Sequence, residues 1–270
     1  MKNLNKNKSF FKTNIVEHWK IWVLACIVSL ASIAIHSAAR MDEYGRIYGA
    51  HAAFLDMLVY SLKHQLGGWG VLAFTPISFV WAFLCAEMFN FRSRPEIIVN
   101  YKTRKSFFIH SIKDVAGYVA LFSGIILSIS IIIAVAMAGG IGHDWIEANS
   151  ILNYFKTEFG YDATIVLSQI PALFVMLIMK FLFLWNIAFV GILLCSFTNN
   201  TVVGAITIMM ICLIESIYTK PLAFLITPST MNAFFLSSGE YVVKNLSILL
   251  LEAVIFPLVL YYRIKKKDFL

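Results

Sequence analysis

Charge is scarce in this chain. Asp, Glu, Lys and Arg make up 14% of its 270 residues, hydrophobic residues make up 60%, and the mean hydropathy is +0.78. A soluble domain of this size has nowhere to hide so much apolar side chain, so an integral membrane protein is expected. Cysteine is sparse as well. Cys26, Cys85, Cys195 and Cys212 all lie in apolar runs, without C-x-x-C spacing or a nearby His, and read as small buried hydrophobes. His36, His51, His64 and His143 fall near or beyond one expected surface at no shared ligand spacing, so neither a metal nor any other cofactor bound by this chain is expected. Neither H-E-x-x-H nor G-x-S-x-G occurs, which leaves a membrane-embedded hydrolase without its usual chemistry, and no catalytic residue is expected. No G-x-x-x-x-G-K-S/T occurs either, so the chain has no P-loop with which to bind ATP itself.

The alternation of apolar and polar residues that a membrane β-barrel needs is also missing. In its place stand six continuous apolar stretches, roughly residues 21 to 39, 68 to 90, 115 to 138, 168 to 196, 201 to 218 and 245 to 262. Each is close to the about 20 helical residues that cross about 30 Å of hydrocarbon. The first follows Lys2, Lys6, Lys8, Lys12 and Lys20 like a signal peptide, but it is long for one and has no convincing cleavage site, so a retained span is expected.

The basic residues give the orientation. Of 22 Lys and Arg, five precede the first stretch, six (Arg92, Arg94, Lys102, Arg104, Lys105, Lys113) lie between the second and third, and four (Arg263, Lys265, Lys266, Lys267) follow the last. In a six-span chain these three segments share one side, which the positive-inside rule makes cytoplasmic, with both termini. The formal charge of +7 is therefore that of span flanks, so membrane lipid is the expected partner and nucleic acid is not.

The segment RSRPEIIVNYKTRKSFFIHSIKD, residues 92–114, reads as an amphipathic helix. Ser93 and Glu96 have capping-box spacing, Pro95 fits a first turn, and Ile97, Ile98, Tyr101, Phe108 and Ile112 recur at helical intervals. Asn100 to Thr103 could equally be a break between two short helices. Lys6 to Lys20 is a second basic amphipathic segment, with Phe10, Phe11, Ile15 and Trp19 on one side. Thr219 to Asn245 is too apolar for a solvated loop, and Pro221 and Pro228 divide it into pieces shorter than a span, as a re-entrant hairpin requires.

This arrangement resembles the ABC-2 type permease family, the membrane subunits of many bacterial ATP-binding-cassette exporters. The resemblance is topological and covers nearly the whole chain. It implies an all-α integral membrane protein of six transmembrane helices in the bacterial plasma membrane. Residues 1–20 would be a cytoplasmic connecting helix ahead of a six-span domain over 21–270, with a coupling region at 92–114 and extracellular re-entrant helices at 219–244. It implies a separate ATPase subunit carrying ATP and Mg, contacted through Arg94, Glu96, Tyr101, Lys102, Arg104, Lys105 and Phe108, and a second permease chain, identical or paralogous.

Three ionisable residues stand inside the expected spans: Lys180, Glu215 and Glu252, all in the outer half of the bilayer. A mid-membrane charge costs about 2.5 to 3.5 kcal/mol, so Lys180 is expected to pair with Glu215 or Glu252, locking helices or taking part in gating. Glu87 is expected to hold the start of the 92–114 segment. Ala120, Gly124 and Ser128, and more briefly Ala25 and Ser29, form small-residue rows that allow helices to pack closely. The spans hold much Phe and few polar groups, so a small polar solute would find little to replace its hydration. An amphipathic peptide, a toxin or another hydrophobic compound is the expected cargo. A lipid or polysaccharide-precursor exporter, or an assembly or sensor protein without transport, are the alternatives.

Overall fold

The computed structural model describes residues 10–48, 54, 74–99, 101, 103–140, 169–217 and 239–266. Among them the chain forms eight helices and no strand. These are α1 (Phe10–Glu17), α2 (Trp19–Tyr48), α3 (Phe74–Arg92), α4 (Pro95–Ile98), α5 (Arg104–Ala138), α6 (Gln169–Thr198), α7 (Thr201–Ile217) and α8 (Gly239–Lys266). Helix is the necessary answer to this composition, because every backbone N–H and C=O in an apolar surrounding must be satisfied within its own segment. Arg104–Ala138, Leu173–Thr198 and Val242–Lys266 are long and apolar enough to cross a membrane, which marks the chain as a membrane protein. Trp19–Ile35 and Thr201–Glu215 are shorter apolar helices.

Local chemistry sets the boundaries. Thr103, in extended conformation, caps α5 by accepting from the Ser106 N–H at 3.1 Å, and Gly139 closes the helix in the left-handed region at φ 71°. Between α6 and α7 the chain reverses in two residues. Asn199 takes φ 53°, which Asn tolerates better than most side chains, and the Asn200 carboxamide accepts from the N–H groups of Val202 and Val203 at 2.9 and 3.2 Å.

Helix α3 sits at the centre, packed against α2, α6 and α7. Its Trp81 is fully buried, stacks on Phe122 of α5 at 4.4 Å, meets Trp22 of α2 edge-on at 6.0 Å and donates to the Leu184 carbonyl of α6 at 2.8 Å. Two glycines let backbones touch. A Cβ on Gly204 would stand 2.9 Å from the Cys195 backbone nitrogen, and one on Gly191 would stand 3.0 Å from Ala82 Cβ.

Pro257, inside α8, has no N–H to give the Ala253 carbonyl one turn earlier. The Trp185 indole of α6 supplies that bond instead, at 3.1 Å. Trp185→Phe is therefore expected to cost about 1 kcal/mol. In a Pro257→Ala background, where the restored N–H takes the same carbonyl, the cost should vanish. Thermal unfolding of the four proteins in detergent reads this cycle, and an equal cost in both backgrounds would show that the indole bond has another role.

Several expected boundaries move. The segment at 92–114 is not one amphipathic helix: it breaks between Ile98 and Arg104, in accord with the alternative of a break at Asn100 to Thr103, but only Pro95–Ile98 is a short helix and residues 104–114 are the first turns of α5. Nothing between Thr103 and Val115 stops a helix, so the cap at Thr103 commits the chain to run on. The first carbonyl to accept within α4 is that of Arg94, from the Ile98 N–H at 3.0 Å, and the Ser93 hydroxyl donates back to the Phe89 carbonyl of α3 at 2.8 Å. The basic N-terminal segment is broken at His18, and its inward residue is Asn14, 2% exposed, whereas Trp19 is 54% exposed. Residues 239–244, placed in the re-entrant stretch by composition, are the start of α8, and the rest of that stretch, 219–238, lies outside the described residues. So do residues 1–9, 68–73 and 267–270, with His51, His64 and His143. Cys85, Cys195 and Cys212 are buried, as expected of small hydrophobes.

Candidate functional site

The basic ends of the helices meet at one end of the bundle. Arg92, in the last turn of α3, is 3% exposed. Its guanidinium forms an ion pair with Asp114 of α5, donates to the His110 carbonyl at 3.1 Å and donates to the Tyr101 hydroxyl at 2.6 Å. The same guanidinium lies 5.3 Å from the Tyr101 ring, which packs edge-on against Phe107. Beside this clamp, the Asn14 amide donates to the Met88 carbonyl at 3.3 Å and to the Tyr118 hydroxyl at 3.1 Å, tying α1 to α3 and α5. Arg104 donates to the Lys265 carbonyl, and Phe108 packs on Tyr261 at 4.9 Å, so α5 is also tied to the end of α8.

The expected contact residues divide into two groups. Arg94, Arg104 and Lys105 are exposed, with Arg94 lying 4.7 Å from the Phe91 ring. Tyr101 and Phe108 face inward, Tyr101 onto Arg92 and Phe108 into the core at 8% exposure, so they hold the segment in place and are not part of its outer surface. Lys102 and the side chain of Glu96 lie outside the described residues. Glu87 does not hold this segment either. It accepts from the Thr201 hydroxyl at 2.5 Å and so pins the start of α7 to α3. Sequence reasoning missed Asp114 and Asn14; an acid and an amide among apolar neighbours were the signal for both.

Lys180, Glu215 and Glu252 are buried, at 3%, 1% and 8% exposure. Lys180 stands 18 residues from Thr198, and Glu215 and Glu252 stand 14 residues from Thr201 and Lys266 at the same end of the bundle. At 1.5 Å per residue their depths are about 27, 21 and 21 Å, all far from the basic end and Lys180 the deepest. Glu252 accepts from the Asn186 amide at 3.0 Å, Glu215 is within electrostatic reach of Glu252, and the Lys180 ammonium lies 5.4 Å from the Phe183 ring.

Of the small-residue rows, that of α2 packs inside the chain, with Ala25 and Ser29 both buried. That of α5 does not: Ala120 and Ser128 are exposed and a Cβ on Gly124 would meet nothing within 4 Å. Among the described residues no group of three or more His, Cys, Asp or Glu is placed to hold a metal ion. No protein-family model matches the chain, and neither a curated protein nor a solved structure is significantly similar to it.

Proposed function

We propose that this chain is the permease subunit of a bacterial ATP-binding-cassette exporter, a six-span protein of the plasma membrane with both termini in the cytoplasm. One observation carries the reading: the exposed basic surface of Arg94, Arg104 and Lys105 is rigidly tied to the helices. The link between α3 and α5 is clamped by Arg92 to Tyr101, His110 and Asp114, and Arg104 reaches the end of α8. A cytoplasmic ATPase that pressed on this surface would move α3, α5 and α8 together, a rigid-body coupling. The basic collar would face the cytoplasm, in accord with the positive-inside rule. The apolar outer faces of α2 and α8, where Leu24, Ile27, Leu251 and Val254 are exposed, favour a cargo that partitions into the membrane, such as an amphipathic peptide or toxin.

The test is co-purification of an ATPase subunit encoded beside this chain, for the wild type and for a triple variant with Lys102, Arg104 and Lys105 changed to Glu. The expected result is an ATPase retained by the wild type and lost from the variant. An ATPase that binds neither would sink the exporter reading and favour an assembly or sensor role.

A further inference from the structure

A cavity of about 110 Å3 opens beside the collar, between α3, α6 and α8. Leu260 and Ile264 supply apolar wall; Asn90, Ser93, Ser196 and Arg263 supply polar wall, and among the described residues no acidic one lines it. A space of that size admits several waters and is enough for a phosphate group. Arg263 donates through Nη2 to the Ser196 carbonyl at 3.4 Å, and its guanidinium lies 5.0 Å from the Phe197 ring. Its Nε is buried and meets no acceptor among the described residues. A guanidinium carries five N–H donors in a fork that matches phosphate geometry, so a cation with donors to spare borders a polar cavity. Asn90 adds a second amide hydrogen beyond its contact with Cys195 Sγ at 3.4 Å.

The position along α8 identifies the kind of phosphate. Exposed apolar residues of that helix, Val254, Leu258, Val259 and Tyr262, give way to the exposed Lys265 and Lys266 at the level of Arg263. That change marks the boundary between hydrocarbon and headgroups. A phosphate there would have its acyl chains along an apolar helix face and its charge against Arg263.

We propose that this cavity binds the phosphate of an anionic phospholipid from the adjoining leaflet. The site depends on this end of the bundle lying at a membrane surface and not on the exporter reading, so failure to find an ATPase would leave it standing.

The test follows the thermal midpoint of the full chain, purified in a neutral detergent, as phosphatidylglycerol, phosphatidylcholine or inorganic phosphate is added. Phosphatidylglycerol is expected to raise the midpoint, with the other two ineffective at equal concentration. Arg263→Gln keeps a donor for the Ser196 carbonyl but removes the charge, and should raise the concentration of phosphatidylglycerol needed by at least about tenfold. Lys265→Gln, on the exposed surface, should not change it. An undiminished response in Arg263→Gln, equal action of phosphatidylcholine, or equal action of inorganic phosphate would each overturn the assignment. Should Arg263→Gln not fold, native mass spectrometry of Asn90→Leu gives a second reading. Loss of bound phosphatidylglycerol supports the site, and full retention overturns it.

Discussion

Replacing Arg92 with Met should destabilise the protein by about 3 to 5 kcal/mol, because it removes one partner of a buried ion pair and leaves the other. Arg92 is almost wholly inside, and Asp114 is about four-fifths buried, at 19% side-chain exposure. The variant strands the Asp114 carboxylate, the Tyr101 hydroxyl and the His110 carbonyl together. Asp114→Asn should cost less, since an amide oxygen still accepts from the guanidinium. The double variant Arg92→Met, Asp114→Leu should recover much of the loss, because a well-packed apolar pair can replace a buried ionic one. Arg92→Lys should fall between: its ammonium keeps the charge but lacks the planar fork that reaches Tyr101, His110 and Asp114 at once. Thermal or denaturant unfolding in one detergent orders the series. An Arg92→Met protein within about 0.5 kcal/mol of wild type would mean that the clamp is not what fixes α3 to α5.

This clamp was only half visible beforehand, and the reason is physical. Orientation rules weigh Arg92 by its charge alone, yet its burial depends on Asp114 and Tyr101, brought to it by a chain reversal. Continuous apolarity locates the helices well, since each long helix of the described residues overlaps one of the six apolar stretches. It misjudged the start of α5, where capping decides and hydropathy does not: Thr103 accepting from Ser106 sets that boundary. Asn14 was invisible for a similar reason, as its partners Met88 and Tyr118 are 74 and 104 residues away. The small-residue rows teach the same lesson in two outcomes. Small side chains permit close approach, but only the fold decides that α2 uses its row internally while α5 turns its row outward. The glycines that do bring backbones together, Gly191 and Gly204, belong to no row and lie on different helices.

Lys180→Met should sharply reduce the folded yield, and a second substitution, Glu215→Gln, should restore it. The three ionisable residues lie deep in an apolar interior, where an uncompensated charge costs about 2.5 to 3.5 kcal/mol. With Lys180 gone, two carboxyl groups within electrostatic reach of each other remain, and no cation of this cluster offsets them. Removing either one relieves the excess, but the two choices are not equivalent. Glu252 accepts a hydrogen bond from Asn186, whose amide also reaches the Leu249 carbonyl at 3.2 Å, so it belongs to a network joining α6 and α8. Glu252→Gln turns that acceptor into an amide whose N–H groups can oppose those of Asn186, and should rescue less well. The order of folded yields, read from size-exclusion profiles of the purified proteins, is therefore wild type, then Lys180→Met with Glu215→Gln, then Lys180→Met with Glu252→Gln, then Lys180→Met alone. Glu215→Gln alone should itself lower the yield, since it leaves Lys180 with one carboxyl already engaged by Asn186. If neither glutamine restores the Lys180→Met protein, the lysine is not balanced by this pair and its place in the interior needs another explanation.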